Sequence, residues 1–537
     1  MKFVGNTSAE TRALRIIGTN DLHGKFLPWD YGLNAESTSG SVAQLSTAIA
    51  RFRDDNTLLV DAGDLIQFNS ANIFVGGEDV HPMVQAINAL NYDVWVPGNH
   101  DYNYGMDVTR KTIADMNCRV LTCNVYDENG CPIADGCTII DKDGVRVAVI
   151  GMVTQNIARW DAVNLANCTV TDPLEETRKI IDAIRGRYDV LVGVYHMGIR
   201  NEYGVANSGV SDILNTCPEF DVMVAAHSHV EIPGKDINGV LVVSNKGMAQ
   251  TMAVIDLTLE KDGDSWKVTE KTSDTIKIAG FESDPAIVEL LCKYHEQARA
   301  DAEQVIGTLE GGALSPENEI AGIPAARIQD TALIDLINAV QMYYTDAPVS
   351  CAALFTRDAN LYPGNIRRCD ISLIYRFTNT LYMLHMTGAQ LKKYMEWSVS
   401  YFNTFKPGDR TISINPDFRH SNYIMFAGVN YEVNIAKAPG SRIENLTWPD
   451  GTPVKDEDEF DIAVSDYQAN SILLDPGQIF EKSKLPALLE MDVRGDIGGV
   501  RELICDYIIN VKNGVITPEC DENWKITGYS WDPKLRR

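Results

Sequence analysis

LRIIGTNDLHG, residues 14–24, decides how the first half of this chain is read. Its apolar part is short and rich in Ile and Leu, which reads as a buried strand. It stops at Asp21, with His23 two residues on. Four more runs share this form. TLLVDAGD (57–64) stops at Asp64, and YDVWVPGNHD (92–101) carries Asn99 and His100 just past its apolar stretch. VLVGVYH (190–196) stops at His196, and DVMVAAHSH (221–229) at His227 and His229. A sixth run, VRVAVIGMV (145–153), has the pattern without a ligand at its end. In α/β sheets, ligands collect outside the carboxyl ends of such strands. Five of the nine histidines fall in this set, so it points to a metal site.

At 537 residues the chain is too long for one core, and two domains are expected. Hydrophobic and charged fractions of 45% and 23% are those of an ordinary globular protein. A net charge of −27 argues against a nucleic-acid polymer as partner, because a phosphate backbone would be repelled. A small anion remains compatible wherever cations dominate the local field. No run approaches a membrane span, and the N-terminal residues contain no apolar stretch of signal-peptide length. The chain as it stands reads as cytoplasmic. A periplasmic or cell-surface protein already cut behind its leader would read the same. The eleven cysteines read mostly as buried thiols, with one or two disulfides as the alternative. Oligomeric state is not legible.

From residue 12 to about 282, strand-like runs alternate with helical segments, the clearest at 41–53, 81–90 and 174–185. This alternation predicts α/β layers. VLVVSNKG (240–247) and MAVIDLTLE (252–260) read as a meander-like tail. Residues 283–307 have a Ser-Asp-Pro start, helical periodicity and a closing Gly, and are expected to link two domains. Residues 308–537 open with a helix near 330–343 and then read as mainly β, with turns such as PGDR and WPDGTP.

Asp, His and Asn form a mixed oxygen and nitrogen set that suits Mn²⁺, Zn²⁺, Fe or Co. One metal needs three or four ligands, whereas seven stand here: Asp21, His23, Asp64, Asn99, His196, His227 and His229. Seven ligands with one shared carboxylate make two adjacent metals, which can clamp a phosphoryl group. His100, next to a ligand, is then free to protonate a leaving alkoxide.

NDLHG, DAGD, GNHDYNYG, YHMG and AHSH, in this order, resemble the calcineurin-like metallophosphoesterases. Most closely they resemble the N-terminal domain of the two-domain 5′-nucleotidase family. The resemblance implies two packed β-sheets flanked by helices, then a C-terminal α+β substrate-binding domain. It implies one metal on Asp21, His23, Asp64 and His229, and another on Asp64, Asn99, His196 and His227. His100 matches the catalytic histidine. There are departures. Ala226 stands where a Gly is usual, and Asn103 where 5′-nucleotidases carry an Asp beside the catalytic histidine. The branch resembling 2′,3′-cyclic-nucleotide 2′-phosphodiesterase/3′-nucleotidase shows Asn at that place, and DLIQ (64–67) fits it too.

In the second half, the resemblance places Phe377 and Asn379, in YRFTNTLYMLHMTG, and Tyr467, in DIAVSDYQAN, where the family stacks and bonds a base. Arg357, in LFTRDAN, is the candidate for holding phosphate. SILLDPG stands after Tyr467 in place of the GGDGY turn. The function expected is hydrolysis of nucleotide phosphoesters, with 2′,3′-cyclic nucleotides and 3′-nucleotides first. The alternatives are 5′-nucleotides or UDP-sugars, and, in another class, a nucleoside-binding protein with weak catalysis.

Overall fold

The computed structural model describes residues 10–530 apart from 70, 203, 204, 378 and 496. The extreme N-terminal residues, read above for a leader, lie outside this range. The chain divides into two compact units, residues 1–299 and 300–537.

The first unit holds two six-stranded sheets. In one, Thr11–Thr19 lies between Thr57–Asp61, its parallel partner, and Thr251–Asp262, its antiparallel partner. Val94–Trp95 and Arg119–Val120 extend the parallel side, and Ser265–Lys277 closes the other edge. The second sheet sets Val145–Val153, Val190–His196, Val222–Ala225 and Val240–Ser244 in parallel, with antiparallel strands at both edges.

Successive strand residues point to opposite faces, and here both faces are buried. Ile16, Leu58 and Val60 therefore meet Val147, Val192, Val194 and Val224 in a core between the sheets. Their neighbours Ile17 and Leu59 face outward, under the helices Val42–Phe52, Pro82–Ala89 and Pro285–Ala302. The outer face of the second sheet packs under Pro173–Ile184 and Val210–Thr216. This is the double sheet flanked by helices that the motifs imply, and it explains why the runs read as continuous Val, Ile and Leu.

The predicted helices start where capping chemistry puts them. Ser41 accepts from Gln44 N, and Asp172 accepts from Leu174 N and Glu175 N. The segment expected to join the domains lays Ile287, Leu291, Tyr294 and Ala298 into the first unit's core.

Two expectations need correction. VLVVSNKG and MAVIDLTLE are not a meander: the first is a parallel strand of the second sheet, the second an antiparallel strand of the other. Turn residues between two apolar runs look alike whether the chain turns back or crosses to another layer. The cysteines are less buried than expected. Five of eleven are buried, whereas Cys131, Cys292 and Cys520 are exposed.

The second unit is α+β around its own core. Its largest sheet has five strands, in the order Ile424–Ala427, Val349–Ala353, Glu459–Ser465, Leu381–Thr387 and Ala487–Glu490. The expected helix is present as Ala332–Thr345. The rest is less β-rich than its aromatics suggest, because Arg368–Ile374, Gly388–Ser398 and Val500–Asp506 are helices. Thr387 and Gln390 cap Gly388–Ser398 reciprocally, a signal that outweighs Tyr394 and Trp397.

Among the described residues, no helix is long and apolar enough to cross a membrane.

Candidate metal centre

The parallel strands Thr11–Thr19, Thr57–Asp61 and Val94–Trp95 of one sheet, and Val190–His196 and Val222–Ala225 of the other, run out into short loops, and these loops bring the polar ends together. Asp21 N donates to Gly63 O, and His23 N to Asp64 O, so the first two loops are stitched by backbone. Gly63 sits at φ 90°, and a side chain there would strike the backbone of Gly98. Gly98 in turn leaves room for the Asp64 carboxylate and the His196 ring.

Side-chain donors converge in two groups. Asp21, His23, Asp64 and His229 place ligand atoms within 4.8 Å of one another, as do Asp64, His196 and His227. Asp64 belongs to both. Its Oδ2 lies 3.7 Å from His23 Nε2 and 3.3 Å from His196 Nε2. Asn99 Oδ1 joins the second group, 2.9 Å from His196 Nε2 and 2.8 Å from His227 Nδ1. All seven residues picked from the sequence thus meet at one place.

The donor set fits cations. Asp21 Oδ1 is buried with no hydrogen-bond partner, 3.3 Å from His229 Nε2. His23 Nε2 and His229 Nε2 face each other at 3.0 Å, two nitrogens that need a shared proton or cation. Burial drives the His23 pKa down to about 3, whereas, against burial, Asp64 raises His196 to about 10 and Asp21 raises His229, so those two rings hold protons that a cation would displace. Burial alone would raise Asp21 and Asp64. Both nevertheless lie below the ordinary carboxylate range, held down chiefly by His229 at Asp21 and by His196 at Asp64. His196 Nδ1 lies 2.6 Å from Ala62 O, which fixes the ring with Nε2 toward the carboxylates.

Five of the seven candidate ligands have left-handed backbone: Asp21, His23, Asp64, His227 and His229, at φ 47° to 70°. Non-glycine residues there cost about 1 kcal/mol each. Such clustering marks a place where the fold over-determines the chain, and composition gives no hint of it.

His100 stands beside this group. Its backbone N donates to Asp64 Oδ1 at 2.8 Å, and its ring lies edge-on to His23 and Phe68. Asn103 Oδ1 is 2.7 Å from His100 Nδ1 and also takes a hydrogen bond from Gln67 Nε2 at 3.1 Å.

Several supports were not singled out in the sequence. Asp101 accepts from Gly98 N and Asp64 N with one oxygen, and from Leu65 N and Ile66 N with the other. Burial, with Asp64 nearby, lifts its carboxyl to about 6. Asp61 accepts from Thr19 Oγ1 and Gly63 N, and burial raises it to about 7. His227 Nε2 lies 3.2 Å from Glu202, and its ring stacks on Trp160. Asp61 and Asp101 lie inside the quoted motifs DAGD and GNHD, and that position is the signal that could have found them. Glu202 and Trp160 carry no local signal.

In the second unit, Phe377 is exposed and packs edge-on to Phe355. Asn379 Nδ2 donates to Asp466 Oδ1 at 2.7 Å, and the same oxygen accepts from Tyr467 N at 2.6 Å. Asp466 therefore ties the two predicted segments together. Arg357 is exposed on a neighbouring loop. Elsewhere in this unit, Asp330, Asp335 and Cys520 form a third cluster, and Asp335 and Cys520 line a cavity of about 670 Å³.

Residues 14–231 match the calcineurin-like phosphoesterase family, and residues 305–472 match the 5′-nucleotidase C-terminal domain. The chain belongs to the two-domain 5′-nucleotidase family of metallophosphoesterases, a class of phosphoester hydrolases that implies divalent metal ions. It is 27% identical to the "Trifunctional nucleotide phosphoesterase protein YfkN" of Bacillus subtilis (strain 168), over 96% of this chain and 39% of that protein. It thus spans well under half of that relative's length. It is 25% identical to the "2′,3′-cyclic-nucleotide 2′-phosphodiesterase/3′-nucleotidase" of Yersinia enterocolitica, over 96% of this chain and 88% of that one. A crystal structure titled as a putative 5′-nucleotidase from Staphylococcus aureus in complex with alpha-ketoglutarate shares the fold. Its TM-score is 0.76 at 21% identity, covering 96% of this chain and all of that one.

Proposed function

We propose that this chain hydrolyses phosphoesters of nucleotides with two divalent ions, and that its preferred substrates are 2′,3′-cyclic nucleotides and 3′-nucleotides. The observation that carries the reading is the convergence of seven donors into two groups that share Asp64. Asp21, His23, Asp64 and His229 would hold one ion, and Asp64, Asn99, His196 and His227 the other. Mn, Zn, Co or Fe all suit these donors. Bound there, two ions would neutralise phosphoryl charge and activate water for in-line attack.

The protein's own part is position and proton transfer. His100, with Nδ1 engaged by Asn103, has Nε2 left for the leaving group. The Nε2–H bond breaks as an O–H bond forms on the departing sugar oxygen, and the ring becomes neutral. Phe377, Asn379 and Tyr467 are proposed to hold the base, and Arg357 the phosphate.

The preference for cyclic and 3′-phosphates is supported by Asn103 in the GNHDYNYG segment and by the relative from Yersinia enterocolitica. Turnover of 2′,3′-cyclic AMP, 3′-AMP, 5′-AMP and a UDP-sugar, across Mn²⁺, Co²⁺, Zn²⁺ and Mg²⁺, tests it. The first two should show the highest kcat/KM. Higher kcat/KM on 5′-AMP would shift the assignment to a 5′-nucleotidase, and no turnover of any of the four would remove the enzymatic reading.

A further inference from the structure

We propose that Asp161 is a positioning residue for the proton donor: its carboxylate fixes the Asn103 amide, and through it the proton on His100 Nδ1. This rests on the reading of His100 as the group that protonates the leaving oxygen.

The two ends of an Asn side chain have nearly the same shape and opposite chemistry. One accepts hydrogen bonds and the other donates. Which end meets His100 therefore has to be set by neighbours. Asp161 Oδ1 lies 2.9 Å from Asn103 Nδ2, and a carboxylate oxygen can only accept. On the other side Gln67 Nε2, which can only donate, lies 3.1 Å from Asn103 Oδ1. Turning the amide over would set carbonyl against carboxylate and NH₂ against NH₂. Asn103 thus presents its oxygen to His100, and the ring must carry hydrogen at Nδ1 to use it. Nε2 is then the ring atom whose proton can be delivered.

The support is itself held. Asn164 Nδ2 donates to Asp161 Oδ1 at 3.3 Å and to Asn103 O at 2.9 Å. Asp161 is 3% exposed, so water does not compete for its carboxylate. It caps the short helix Ile157–Trp160, 58 residues beyond Asn103, where nothing in the sequence connects the two. A buried carboxylate one amide away from the ring also places negative charge behind an imidazolium, polarising the Asn103 dipole toward it.

The test uses the full chain loaded with Mn²⁺ and five forms: wild type, His100→Ala, Asp161→Asn, Asn103→Asp and the double variant Asn103→Asp/Asp161→Asn. Each is assayed on 3′-AMP and on p-nitrophenyl phosphate, whose leaving phenolate needs little help from an acid. Asp161→Asn should lower kcat on 3′-AMP on the order of 10²-fold with KM nearly unchanged, and lower the p-nitrophenyl reaction far less. Asn103→Asp, which sets two carboxylates face to face, should also be impaired. The double variant moves the single carboxylate to the ring and should regain most of the lost kcat.

A second readout does not depend on turnover. Nitrogen-15 NMR of labelled histidines, on forms loaded with diamagnetic Zn²⁺, should show His100 protonated at Nδ1 in wild type and the double variant, and mixed in Asp161→Asn. Wild-type kcat on 3′-AMP in Asp161→Asn, equal losses on both substrates, or a double variant no better than either single one would each overturn the inference. If His100→Ala turns over 3′-AMP normally, the proton-donor reading fails by itself, and the NMR tautomer still decides whether Asp161 orients the pair.

Discussion

Asp101 shows how much one side chain can organise. Four backbone N–H groups from two loops end on its two oxygens, fully buried from bulk solvent. Asp101→Asn replaces one acceptor with a donor and sets N–H against N–H. It should cost about 1–3 kcal/mol in urea unfolding at pH 8, because a buried group is left unsatisfied. Metal affinity should fall with it, since Asp64 N is one of the four donors. His100→Ala is the contrasting change. It removes a ring that the metal groups do not need, so metal content should stay at the wild-type level while kcat on 3′-AMP falls by about 10²- to 10⁴-fold. Equal metal loss in both variants would mean that His100 is a ligand. At this scale the sequence is informative for groups that sit in strand-end motifs, since position after an apolar run fixes where a side chain points. It is silent on Asp161 and Glu202, which reach the site only because separate loops fold over it.

At the scale of elements, the helix Ala332–Thr345 and the segment after Thr517 carry an electrostatic liability. Asp330, at the helix start, has its carboxyl raised to about 7 by burial and by Asp335 and Asp521, and Asp335 is raised to about 6 by burial and Asp521. Both bind protons more tightly folded than unfolded, where the reference value is 3.8. Folding therefore takes up protons between about pH 4 and 7, and stability is greatest at the acid end and falls as pH rises through that window. Asp335→Asn should flatten this slope and raise the melting temperature at pH 8 more than at pH 5, as thermal unfolding at the two pH values would show. An unchanged slope would mean that the two carboxyls titrate normally. The strands of the first unit were legible because both their faces are buried and periodicity was unnecessary. The sheet to which a strand belongs was not, as residues 240–247 and 252–260 show: partner choice is decided by layers packed across the chain.

For the whole molecule, two separate cores predict two unfolding transitions. Only the first unit contains the seven clustered donors, so chelation should lower one transition and leave the other in place. An ion present at a thousandfold excess over its Kd stabilises by about 4 kcal/mol, a shift that calorimetry with and without EDTA resolves. Movement of both transitions together would mean that the units unfold as one.

The place of Thr11–Thr19 has a bearing on how the chain is made. It leaves the ribosome long before one of its two partners, Thr251–Asp262, although it lies in the interior of its sheet. At typical synthesis rates the interval between them is on the order of 10–50 s. Throughout that time a strand of leucine and isoleucine waits with one edge unpaired, and His227 and His229 arrive only near its end. Nascent chains halted before residue 251 should accordingly be held by chaperones and sensitive to protease, and those extended past residue 277 should be released.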